Sequence, residues 1–437
     1  MERAPSTPVL LLVALGCAAG ADARRDAWVA EYDTIGDTVV VRTVSGAEWG
    51  PFELVPELRI GEIESEQDEY LIGSITGLAV DADGNIYAYD NQVPALRKYG
   101  PDGTFIATFG RKGGGPGEYA NSDGGLLILP DGRILLRDPG NARFTIYRPD
   151  GTLDAEWLGR GGFFTSTPPF ADTAGHVYNV VIEEWPEGRR PANGDLWRWR
   201  MARYDRAGRP ADTLDIPEYE YERAVITLER VTRDGTSRMM NSVPFAPGFH
   251  WTMDPFGRFI AGVGHRYAID VYLADGKVRR IVREAEPVTV SAAERADAEA
   301  RATANMRRTD PSWRWNGPSI PDRKAELSGL FTGRDGRIWV RRPAPGQPIP
   351  DDELDESRDL GNGVTLPPAR FREPVVFDVF EPDGRFLGTG RAPQGFSPYP
   401  QPVARGDHVW GIVQDALGVS TIQRLRIVRQ QSSSPAG

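Results

Sequence analysis

Short apolar runs alternate with turn residues along most of this chain, and the period within each run is two. "GLAV" (77–80) is followed by "DADGN", then "IYAYD" (86–90). "LRKY" (96–99) leads through "GPDGT" into "FIATFG" (105–110). Runs of four to six β-branched and aromatic residues, cut by Asp-Gly turns, predict consecutive antiparallel strands joined by hairpins. One stretch departs from the pattern. "SAAERADAEARATANMRR" (291–308) predicts a helix, opened by Ser291 as its cap with Glu294 three residues on.

The strand pattern repeats. Gly61 precedes Glu69-Tyr70 as Gly110 precedes Glu118-Tyr119, and a third copy opens at Gly159, so the glycines are spaced 49 and 49 apart. Gly84 to Gly132 and Gly103 to Gly151 are each 48. The first turn of the unit recurs, with insertions between, at 84, 132, 175, 257, 336 and 407, which makes six units. Four-stranded units of this kind cannot bury both faces alone and pack radially, so the expected fold is an all-β, six-bladed β-propeller spanning 37–430. The sixth unit lacks an outer strand before the chain ends. "ELVPELRI" (53–60) is expected to supply it and close the ring, with "TVVVRTV" (38–44) as a further edge strand.

"GRKGGGPGEY", "GLAVDADGNIYAYD" and "DPGNARFTIYRPDG" resemble NHL-type repeats, closely over about 58–157 and loosely from Phe163 onward. The whole chain is similar to a bacterial six-bladed β-propeller, lipoprotein-like family of largely unassigned function. That resemblance bears on fold far more than on activity.

Composition narrows the partners. The 437 residues carry a net charge of −11 without a long basic stripe, which argues against nucleic acid. An apolar run, Val9 to Leu15, ends at Gly16-Cys17-Ala18 and is too short to span a bilayer. It reads as an export signal occupying 1–23. Cys17, the only cysteine, resembles the acylated residue of a bacterial lipobox, although Ala14-Leu15 and Glu2 depart from the usual pattern. The expected address is the cell envelope, as an outer-membrane or surface lipoprotein held by its lipid anchor; a periplasmic or secreted protein is the alternative. Residues 431–437, "QSSSPAG", read as a disordered tail.

The glycine-rich loop 110–119 lacks the Gly-Lys-Ser/Thr and the helix a phosphate loop needs, and its counterpart at 61–70 is acidic. It is expected to carry the chain from one blade to the next. Likewise "DADGN" is a hairpin turn and not a calcium loop, because Gln92 stands where a ligating Glu is required.

All the long insertions (183–198, 218–248, 284–327, 342–373 and 391–402) fall in second-to-third strand connections or blade crossings, which share one face. Insertions confined to one face mark it as the binding face. They carry Trp185, Trp197, Trp313, Trp315, Arg189 and Arg190. These tryptophans, with Trp251, His250, Arg137 and Arg341 nearer the channel, form the candidate binding set for an envelope protein, a peptide or a glycan. The opposing reading has the aromatics only pinning their own loops. The alternative function is a metal-dependent hydrolase or lyase at the channel mouth. The similarity to lactonase-like propellers would give it calcium or another divalent metal on Asp90, Asp138, Asn179 and His250. The primary reading is a binding module that needs no cofactor, with the enzyme kept as its alternative.

Overall fold

In a computed structural model, residues 27–62, 64–159, 165–186, 188, 197–232, 235–415 and 418–430 are described. Cys17, the apolar run before it, Arg189, Arg190 and 431–437 lie outside them. The described chain is almost wholly β, with one α-helix, Ala292–Arg307.

The strands form antiparallel meanders in chain order. Ile75–Val80, Ile86–Asp90, Ala95–Tyr99 and Phe105–Phe109 pair in sequence. Leu126–Ile128, Ile134–Asp138, Arg143–Tyr147 and Leu153–Leu158 do the same, as do Phe170–Ala171, Val177–Glu184, Trp197–Tyr204 and Pro210–Asp215. The next meander, Phe249–Met253 to Val278–Arg283, is widened by Thr38–Ser45, which lies parallel to Val278–Arg283, and by Val29–Ile35. The edge strand expected at 38–44 is therefore present, two meanders away in sequence from the one that 53–60 completes. Gly329–Thr332, Ile338–Arg342, Val376–Phe380 and Phe386–Arg391 follow. The last meander runs Val403–Arg405, His408–Gln414, Ser420–Arg429, and its outer strand is Phe52–Ile60 from the N-terminal side, antiparallel to Ser420–Arg429. Phe52 and Glu53 also pair with Gly390 and Arg391, so the last two meanders share one sheet.

Each sheet is covered on both sides, and the strand Ile86–Asp90 is buried at all five positions. Tyr87 and Tyr89 join a core shared with Leu126, Ile134 and Tyr147 of the following meander. Ile86 and Ala88 point the other way, into a core shared with Trp410, Ile412 and Ile422 of the last meander. Every consecutive pair of meanders shares such an apolar cluster, and the last returns to the first. Sheets packed face to face around a closed ring define a β-propeller.

The repeated turns owe their shape to glycine at positive φ. Asp81 N donates to Asn85 O at 3.1 Å while Gly84 sits at φ +87°, and Asp172 with His176, and Asp254 with Arg258, repeat the bond. Such a conformation costs any residue with a Cβ about 1–2 kcal/mol, which explains the recurrence of Gly at one turn position.

Candidate functional site

The long segments lie in second-to-third connections and in crossings between meanders, as the strand order requires. Three of them, 218–248, 284–327 and 342–373, fold onto one another. Val225–Thr232 and Gly235–Ser242 pair antiparallel. Their Ile226 and Leu228 pack with Val243, Met306 of the helix, Trp313 and Ile320. Ala304, on the same helix, packs against Val364 and Leu366 of the 342–375 segment. Ser291 caps the helix as expected, accepting from Glu294 N at 3.1 Å. The Glu294 side chain turns inward instead of closing a capping box. Buried Lys324 donates to Glu294 at 2.7 Å, to Glu373 at 2.6 Å and to the Ala344 carbonyl at 2.9 Å. This charged knot ties helix and insertion together.

The candidate tryptophans separate into two kinds. Trp313 is buried and its indole donates to Thr227 O at 2.8 Å, across 86 residues of sequence. Trp315 packs edge-on to it, with ring centroids 6.3 Å apart, and donates to Gly317 and Pro318 carbonyls. Trp251 lies between sheets, 6.0 Å from both Phe170 and Phe259. Trp313 is part of the core, while Trp315 and Trp251 are half-buried against their neighbours.

Trp197 belongs to the other kind. It is 54% exposed, and Trp199, which the composition of the loops did not single out, is 53% exposed. Two residues apart on one strand, they share a face about 7 Å from each other. The strands Val177–Glu184 and Trp197–Tyr204 are eight residues each, longer than the Pro210–Asp215 strand that flanks them. On the alternate face, Arg198 stacks 5.5 Å over Trp185 and pairs with Glu183 and Asp215, and Arg200 pairs with the same two carboxylates. The alternation Trp-Arg-Trp-Arg at 197–200 was the sequence signal for this arrangement.

Nearer the channel, the candidate acids are occupied. Asp90 is fully buried and accepts from the N–H groups of Gly73, Ser74, Gln92 and Val93. Asp138 accepts from Ala120 N, Asn121 N and the Asn141 amide. Asn179 accepts from Arg137 Nη1 at 2.8 Å. Arg137 is itself saturated, by Asp123 and by the carbonyls of Thr165 and Thr167. These residues fasten crossing loops to strand ends. His250 pairs across the strands with Gly262, and burial, then the Arg341 cation, push its imidazole down to about 4. Arg341 Nε is buried without an acceptor among the described residues. A divalent metal needs several unshared oxygens. Asp90, Asp138, Asn179 and His250 do not supply them, and a guanidinium beside His250 opposes a cation. No cluster of three or more His, Cys, Asp or Glu side chains of ligating geometry occurs among the described residues.

The glycine loop is self-contained. Glu118 accepts from Gly115 N at 2.8 Å and from Arg111, and its carboxyl is held below the usual carboxylate range first by the Gly115 N–H, then by Arg111. Asn141 and Arg143 cover the Gly113 and Gly115 carbonyls. A carboxylate from the loop's own sequence stands where an anion would bind.

No protein-family model matches the chain, nor does any curated protein. Solved structures resemble it at low identity. A member of the DUF4221 family from Bacteroides vulgatus has 11% identity and a TM-score of 0.49, with 88% of this chain and 100% of that chain covered. A gluconolactonase from Xanthomonas campestris has 13% identity and a TM-score of 0.37, covering 88% and 99%. A virginiamycin B lyase from Staphylococcus aureus has 12% identity and a TM-score of 0.32, covering 86% and 99%. Likeness at this level is one of fold, and no activity follows from it.

Proposed function

We propose that this protein is an exported, six-bladed, NHL-like propeller that binds a glycan, peptide or envelope protein on its insertion-bearing side, with Trp197 and Trp199 as the contact platform. The single supporting observation is the pair of indoles, each more than half exposed, on one face of an extended strand pair. Large aromatic surfaces left in water at one place are enriched where partners dock, and flat indoles stack on sugar rings or on apolar side chains. Arg198, stacked on Trp185 and paired with Glu183 and Asp215, stiffens the strand pair from behind.

The blade count follows from the six recurring turns in the sequence, and export with acylation at Cys17 follows from the N-terminal pattern. Intact mass of the protein made in a bacterial host, with Cys17→Ala as control, tests the anchor. An array of envelope glycans and peptides, probed with the wild type and with Trp197→Ala/Trp199→Ala, tests the platform. Capture that is lost in the double variant at unchanged melting temperature supports the reading. Capture that survives the substitution overturns it.

A further inference from the structure

The channel at the centre of the ring contains a cavity of about 120 Å³ near the tight repeat turns, lined also by Pro400, Gln401 and Pro402 at the end of the 391–402 insertion. Every meander contributes to its wall. Val80, Leu126, Ile128, Phe170 and Met253, which also pack in the cores between meanders, are among its apolar lining residues, and Arg334 supplies a cation. Arg334 sits in the repeat turn where Gly333 N donates to Arg337 O. Its side chain crosses the channel, and Nη1 and Nη2 both donate to one carbonyl, that of Ile128, at 3.3 and 3.2 Å.

A guanidinium has five N–H donors in a planar fork. Here the edge between the two Nη atoms is spent on one long bifurcated contact. The edge formed by Nε–H and the adjacent Nη–H has no acceptor among the described residues. That edge matches a carboxylate, which accepts two parallel bonds from it.

The surrounding charges do not neutralise Arg334. Arg405 lies nearby, its guanidinium held by the Asp81 and Ala82 carbonyls. The Asp81 carboxylate is engaged by Asn85, Tyr87 and its own turn. Asp254, also in the wall, is paired with Arg258. Asp335 and Glu381 are paired with Arg337. Arg334 itself is exposed to water. Desolvation, then the like charge of Arg405, lower its pKa, against a smaller opposing effect of Asp81. An arginine placed in this way gains from an anion.

We propose that the channel cavity is a binding site for a small monocarboxylate, its acid group on the free edge of Arg334 and its short aliphatic chain against Val80, Leu126, Ile128, Phe170 and Met253. The volume is somewhat below that of a cavity of about 150 Å³ that accepts benzene in a protein interior, which limits the chain to a few carbons. This site is independent of the tryptophan platform and lies on the other side of the ring.

Titration calorimetry of the full chain with butyrate at constant ionic strength tests it. Saturable one-to-one binding is expected, with Kd of about 1 mM. Neutral 1-butanol, of nearly equal shape, should bind at least about tenfold more weakly because it offers no charge to the guanidinium. Acetate should bind more weakly than butyrate because it leaves the apolar wall uncovered. Arg334→Gln should lose the binding and Arg334→Lys retain part of it, while Trp197→Ala leaves it unchanged. If butyrate does not saturate, if butanol or acetate binds as well, or if Arg334→Gln binds equally, the proposal fails and Arg334 is a strut across the channel. The comparison between ligands holds even where Arg334→Gln does not fold.

Discussion

The two sides of this propeller are built on different principles. On the turn side, the shape of each repeat turn is held by its own neighbours in sequence. Asp254 accepts from Phe256 and Arg258 N–H groups and pairs with Arg258, all within four residues. On the insertion side, stability comes from partners far apart. Trp313 reaches Thr227 across 86 residues, and Lys324 reaches Glu373 across 49. A local device can be copied unit by unit. A long-range device is made once, and it leaves the side that carries it free to diverge. That freedom is what a binding surface needs.

The sharpest way to break the contrast is at Lys324. Lys324→Met leaves the buried Glu294 and the half-buried Glu373 side chains without their cation, and removing one partner of a buried pair costs about 3–5 kcal/mol. Trp313→Ala costs a similar amount, about 3–5 kcal/mol, by emptying the core beneath the Val225–Thr232 and Gly235–Ser242 strands. Both losses should appear in denaturant unfolding, together with early hydrogen exchange confined to 225–248 and 284–327. Asp138→Ala strips two backbone N–H groups and the Asn141 amide of their acceptor, for about 1–3 kcal/mol per buried group left unpaired. On the turn side, Gly132→Ala has room for its methyl, 3.8 Å from Pro149, so its cost is conformational alone at about 1–2 kcal/mol. Uniform losses on both sides would erase the distinction.

A pH series sharpens the contrast further. His250 has a folded pKa of about 4, below its ordinary 6.5, so the unfolded chain binds its proton first. The contribution is fully present above pH 6.5 and is lost as pH falls toward 4. His250→Gln should therefore flatten the stability profile across that window, measured as melting temperature against pH. The smallest effect on stability is expected at Trp197. Trp197→Ala should move it by no more than about 0.5 kcal/mol while abolishing capture of a partner.

The same division explains what was legible beforehand. The turns were readable because each is written in five consecutive residues, with glycine at the one position where φ must be positive, as at Gly84 and Gly257. The outer strand at 53–60 was readable because the last unit lacked one and the repeat fixed what was missing. The widening strand at 38–45 was visible as a strand, but its partner Val278–Arg283 was not, since no repeat specifies where an extra edge attaches. On the insertion side, composition treated all tryptophans alike. Whether an indole packs, as at Trp313, or stands in water, as at Trp197, depends on partners that no local pattern names. Asp90 and Asp138 looked equally able to hold a metal or a loop. They stand 48 residues apart at the same place in the first two repeats, and in both the carboxylate accepts backbone N–H groups.

The strand Phe52–Ile60 is made well before its partner Ser420–Arg429, some 360 residues further along the chain (420 − 60). Nascent chains of this protein therefore expose an unpaired edge and an apolar sheet face until that partner has been made, and they depend on whatever shields them in the meantime.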